Sequence, residues 1–118
     1  MSHMLLIVEP AGQRATRTEA EGREAYASMQ RFGESLKSRG KLLAAESLAS
    51  QSTAVRVHTG GGKAQVLDGP FAEAKEMIGG FFLLDCASME EAVAIAHECP
   101  AAEWATVEVR AIGPCHDR

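Results

Sequence analysis

Nothing in this sequence of 118 residues is long and apolar enough to cross a membrane. Its longest unbroken apolar runs, Met4 to Val8 and Ala92 to Ala96, fall far short of the ~20 residues a bilayer span needs. The first run is also too short for a secretory signal and has no basic lead. Met1, Ser2 and His3 ahead of it read as a vector scar, with Met4 as the native start. An excess of basic residues is missing as well. Lys and Arg number 12 against 16 Asp and Glu, a formal net charge of −4. That argues against nucleic acid as a main partner, because neutralising phosphates takes clustered cations. Paired cysteines are absent: Cys86, Cys99 and Cys115 are odd in number and form no Cys-x-x-Cys, which points to free thiols in a reducing, cytoplasmic setting. Cys115 stands beside His116, but metal sites usually draw four ligands from two elements. No metal or cofactor is expected. No Ser-His-Asp or Cys-His arrangement is readable. Gly60, Gly61 and Gly62 lack the helix and Lys-Ser/Thr pair of a phosphate-binding loop and read as a hairpin turn.

What is present suits one soluble domain over residues 4–113, with a polar tail at 114–118. Its most informative stretch is the junction at 68–82. Asp68, Gly69 and Pro70 are strong turn chemistry: a side-chain acceptor, a residue free to take positive φ, and a fixed φ. Phe71, Ala72, Glu73, Ala74, Lys75 and Glu76 follow as a short helical turn or an ordered loop, bounded by Gly79 and Gly80. The junction is either a capped turn joining two strands or the wall of a site.

The remaining elements follow from periodicity and capping. Leu5 to Val8 is apolar on both faces, as a central strand should be, and residues 9–17 read as a loop. Thr18 and Glu21 form a capping box for a helix to about residue 39. Ala25, Met29, Phe32 and Leu36 line its core-facing stripe, and Gly40 fits the position just past its end. Residues 42–48 read as a strand with Leu42, Ala44, Glu46 and Leu48 in phase. Glu46 is then either a partly buried acid or an edge position turned outward by a bulge. Residues 54–58 and 64–68 pair as a hairpin, with Arg56 and His58 sharing a face. Residues 80–85 form a second strand apolar on both faces. Ser88 and Glu91 read as a second capping box, opening a helix to about Cys99. Residues 104–112 form the last strand, with Val107 and Val109 inward.

Asp68, Gly69, Pro70 and Phe71, with Glu73, Lys75 and Glu76 and then Gly79, Gly80 and Phe81, resemble the signature of the DGPF branch of the YCII-related protein family. Met4 to Val8, Gly40 to Leu48, Val55 to Val57 and Val107 to Arg110 also match its pattern, so the resemblance covers nearly the whole chain. Where the family often carries Thr, this chain has Ala74. The resemblance implies a ferredoxin-like α+β fold that dimerises as an α/β-barrel, and a catalytic or small-ligand-binding role with no assigned reaction. It also permits an association with extracytoplasmic-function sigma factors.

Independently of that resemblance, the order of elements is βαββαβ with an inserted β-hairpin, the split βαβ unit. Two helices cover one face of its sheet. The other face would stay apolar and bare, which favours a symmetric homodimer with sheets packed face to face; the alternative is a monomer whose hairpin folds over that face. Two functions are expected from the acidic corner. In the first, Asp68 or Glu46 is a catalytic acid or base, and Arg56, Phe71, Glu73 and Lys75 bind a small anionic molecule. In the second, the same pocket belongs to a non-catalytic sensor or partner-binding module.

Overall fold

In the computed structural model, which describes residues 2–116, the chain forms six strands and two α-helices. In chain order these are β1 (Ser2–Pro10), α1 (Glu19–Ser38), β2 (Leu42–Ser47), β3 (Val55–His58), β4 (Gln65–Asp68), β5 (Glu76–Asp85), α2 (Met89–Glu98) and β6 (Thr106–Ala111). Met1, the first residue assigned to the scar, and Asp117 and Arg118 of the tail lie outside the described residues. Ser2 and His3 are paired in β1, opposite Asp85 and Leu84.

Four strands make an antiparallel sheet in the order β2-β5-β1-β6, while β3 and β4 pair only with each other. This is the ferredoxin-like α+β arrangement, with the hairpin inserted between the second and third strands of the sheet. The two strands apolar on both faces, β1 and β5, lie in the middle, where each has a neighbouring strand on both edges.

Both helices close where their capping residues place the ends. The Thr18 side chain accepts from Glu21 N–H while Glu21 accepts from Thr18 N–H, so the capping box of α1 is complete. At its other end Gly40 takes φ 70°. Gly40 N–H donates to Lys37 O and Lys41 N–H to Leu36 O, a Schellman closure that favours glycine there. The second capping box is only half formed. Ser88 caps Glu91 N–H, but the Glu91 carboxylate accepts from Ala87 N–H and from Lys41 Nζ at 3.0 Å. A cation just ahead of β2 competes for that carboxylate and ties α2 to the start of that strand.

These two glutamates give the fold an acid-sensitive component. The Thr18 N–H that donates to Glu21 holds its carboxyl below the ordinary value of 4.5. The hydrogen bond from Lys41 does the same for Glu91. A carboxyl whose pKa is depressed by folding contributes stability above its unfolded pKa and loses it as pH falls through the folded one. The melting temperature is therefore expected to drop on acidification from about pH 5 to about pH 3, and Glu91→Gln to flatten that drop when followed by circular dichroism.

The core lies between the helices and one face of the sheet. Leu5, Leu36, Leu84, Ala92 and Ala101 are wholly buried there, and Phe32 meets Phe82 edge to face at 5.1 Å. Cys86 and Cys99 are buried thiols in this layer and Cys115 is exposed; desolvation raises the pKa of both buried ones. Cross-strand partners share a face, so the opposite face is fixed by register. It presents Met4 opposite Leu83, Leu6 opposite Phe81 and Val8 opposite Ile78. Thr106, Glu108 and Arg110 of β6 and Glu46 of β2 border that apolar stripe. Among the described residues no α-helix lies over it, and the hairpin approaches only its Val8–Ile78 end, since all eight residues of β3 and β4 are exposed. The molecule is correspondingly thin, 46 × 42 × 18 Å.

Candidate functional site

Two irregularities in the sheet build the site. The pairing of β1 with β5 jumps from Ile7 opposite Gly80 to Val8 opposite Ile78, leaving Gly79 as a bulge. The pairing of β2 with β5 jumps from Leu42 opposite Leu84 to Ala44 opposite Leu83, leaving Leu43 as the extra residue. The second jump inverts the phase of β2 after Leu42. Ala45 comes to lie opposite Phe82 on the helix side, and Glu46 opposite Phe81 on the bare side. Of the two placements open to Glu46 from its sequence phase, the structure adopts the outward turn at a bulge, and the residue is exposed.

β1 runs farther than its apolar core suggests. Glu9, expected to open a loop, is its eighth residue, in phase with Leu5 and Ile7, and only 3 % exposed. A carboxylate this buried needs a partner, and Arg14 supplies it from a short 3-10 turn at Gln13–Thr16. Arg14 Nε donates to Glu9 Oε1 at 2.6 Å, Nη1 to Leu48 O at 2.8 Å and Nη2 to Gly79 O at 3.4 Å. One guanidinium thus joins the end of β1, the loop after β2 and the bulge of β5. Glu9 Oε2 occupies the space where a Cβ on Gly79 would stand, so only glycine admits the carboxylate there.

Among the described residues nothing donates a hydrogen bond to Oε2. Among the described residues no fully enclosed side-chain oxygen or nitrogen lacks a partner, so Oε2 must open onto space that water reaches. That space is a cavity of about 530 Å³ between α1 and the sheet, to which Glu9, Arg14 and Gly79 contribute. Ile7, Met29, Leu42, Ala45 and Phe82 give it an apolar wall, and Glu34 and Lys37 of α1 line it as well. Arg17 and Trp104 stand at its polar end, the guanidinium carbon 4.6 Å from the ring centroid. Gln13 steadies both: its Nε2 donates to Trp104 O at 2.7 Å, and its Oε1 accepts from Arg17 Nη2 at 3.4 Å. A mostly apolar hollow of this size with a few converging polar groups is the usual form of a small-molecule site.

A second hollow, of about 540 Å³, lies where the hairpin leaves the sheet, between Val8 and Ile78 on one side and Ala54, Arg56 and Phe71 on the other. Phe71 is buried, and the Arg56 guanidinium carbon sits 3.8 Å from its ring centroid. The turn beside it is an ordered loop rather than a helix. Its Gly69-Pro70 bond is cis, and Ala74 N–H donates to Phe71 O.

The residues singled out from sequence therefore separate. Arg56 and Phe71 meet at the second hollow, and Glu46 contributes to the rim of the first. Asp68, Glu73 and Lys75 are exposed and border neither. Sequence reasoning missed Glu9, Arg14, Arg17 and Trp104. The available signal was the strand phase, which places Glu9 two residues beyond Ile7. Among the described residues no group of three or more His, Cys, Asp or Glu is arranged to hold a metal ion.

The model of the YCII-related domain matches residues 1–116. The chain belongs to the YCII-related domain family. A 59-residue stretch of this YCII-related chain, half its length, is 42% identical to an uncharacterised protein of Rhizobium meliloti (strain 1021). That match spans about half the relative's own length, 48%. No helix of the YCII-related chain is long and apolar enough to cross a membrane, among the described residues.

Proposed function

We propose that this YCII-related protein, of the DGPF branch, binds a small molecule in the cavity beneath α1 and works as a cytoplasmic homodimer joined through its bare sheet face. The observation that carries the binding reading is Glu9: a buried carboxylate with one oxygen held by Arg14 and the other left without a donor beside an apolar hollow. Such an oxygen accepts a hydrogen bond from whatever fills the hollow, and a carboxylate so placed is also suited to general-base work. The dimer is supported by the apolar stripe of β1 and β5 with polar residues along its borders, the usual layout of a protein interface.

A second reading keeps the carboxylate chemistry with Glu46 or Asp68. It is favoured by the position of Glu46 on the bare face opposite Phe81, where a partner subunit would desolvate it. In either reading the protein is an enzyme if the bound molecule is turned over, and a sensor if it is not.

Gly22 separates these readings. It lies in α1 on the wall of the first cavity, and a Cβ there meets nothing within 4 Å. Gly22→Ala is expected to stabilise the fold by about 0.5–1 kcal/mol, through helix propensity alone. Gly22→Leu keeps the helix and places its side chain in the cavity. A metabolite found by thermal-shift screening should lose its stabilising effect in Gly22→Leu and keep it in Asp68→Asn and Glu46→Gln. The opposite pattern moves the site to the acidic corner.

A further inference from the structure

Resting on the reading that the α1 cavity is a ligand site, we infer that its occupant is a 2-hydroxy carboxylate with an apolar side chain. Three features of the cavity meet the three parts of such a molecule. Arg17 meets the carboxylate. It forms no ion pair among the described residues, yet its guanidinium is already set in place by Trp104 and Gln13. An arginine ordered in advance, and acting on Glu21 only from beyond ion-pair distance, is poised for a planar anion. Arg14, by contrast, is fully engaged with Glu9, Leu48 and Gly79.

Glu9 Oε2 meets the hydroxyl. Val8 lies opposite Thr106, so Trp104 and the arginine stacked on it belong to the same end of the sheet as Glu9. An acceptor and an anion-binding cation at one end call for a donor next to an acid group. Arg14 already offsets the charge of Glu9, so the donor need not carry a charge of its own, and a neutral hydroxyl suffices. Ile7, Met29 and Phe82 meet the apolar side chain. Its volume of about 530 Å³ accommodates a ring-bearing acid of about a dozen heavy atoms.

The test titrates the full-length protein with phenyllactate, hydrocinnamate, hydrocinnamamide and phenylalanine. Affinity is read by calorimetry, and occupancy by the fluorescence of Trp104, the chain's single tryptophan. Phenyllactate is expected to bind about tenfold or more tighter than the uncharged amide, and tighter than hydrocinnamate or phenylalanine. Arg17→Gln, at the cavity mouth and outside the core, should erase the preference for acid over amide. Glu9→Gln should erase the preference for the hydroxyl.

If the amide binds as well as the acid, if Arg17→Gln leaves the preference intact, or if phenylalanine binds tightest, the ligand class is wrong. The cavity reading then still stands, provided that Gly22→Leu blocks binding. If no compound binds or alters Trp104 fluorescence, and thermal-shift hits are indifferent to Gly22→Leu, both inferences fall together.

Discussion

Arg14→Ala is expected to destabilise the protein by about 3 kcal/mol, the low end of the range for breaking a buried ion pair. The low end applies because the Arg14 side chain is 33% exposed, whereas that of Glu9 is only 4% exposed. The cost arises mainly from what stays behind. With the guanidinium gone, the Glu9 carboxylate keeps its place under α1 without a counter-charge. Leu48 O and Gly79 O lose a donor in the same step. For a domain of this size the loss corresponds to a fall in melting temperature of about 12 °C.

Glu9→Gln removes the charge and retains the shape, so it should cost less. Arg14→Ala made in the Glu9→Gln background should cost less than in the wild type. The difference, read as a double-mutant cycle by urea unfolding, isolates the ion pair from the two carbonyl contacts. Equal costs in both backgrounds would mean that Arg14 works only as a clamp on the loops. Gly79→Ala should disturb the same corner from the other side, because its methyl group would occupy the position of Glu9 Oε2.

The second large effect concerns assembly. Wild-type protein is expected to show twice the 12.6 kDa mass of one chain in light scattering at micromolar concentration. Leu6→Glu should reduce it to one. Leu6 stands on a central strand, opposite Phe81 on one side and Glu108 on the other, so the new carboxylate would enter the middle of the apolar stripe. Two copies related by symmetry would bring two such charges into one dry seam. Leu6 faces away from the helices, so the single chain should keep its circular dichroism spectrum. A wild type that scatters as one chain would sink the face-to-face dimer. An unfolded Leu6→Glu would leave the question to Glu108→Lys at the border of the stripe, which should weaken association by a smaller factor without touching the core.

How much of this was legible in the sequence differs by element. The two helices were readable at both ends, because capping is a local matter: Thr18, Glu21, Gly40 and Ser88 act on backbone groups within four residues of themselves. The central strands were readable because a run apolar on both faces belongs where strands flank it on both edges. The ferredoxin-like order followed from those elements, with the hairpin as an insertion. Its outward course was not readable, since the exposed valines of β3 and β4 look in sequence like any buried strand pair.

The site was legible only in part. Asp68, Glu73 and Lys75 stood out because turn chemistry is conspicuous, yet turn chemistry reports backbone geometry and carries no information about enclosure. Glu46 was assigned its phase by counting in twos, and one extra residue at Leu43 inverted the count.

By itself the sequence determined the βαββαβ order, the helix ends, the apolar second face and the membership of a family, because each depends on near neighbours or on overall pattern. Only the tertiary structure decided that Glu9 is buried, that Arg14 reaches it and that a cavity opens beside them. Those facts depend on bulges at Leu43 and Gly79 and on a guanidinium spanning 34 and 65 residues of chain to Leu48 and Gly79. No local rule of propensity or spacing encodes contacts made at such separations.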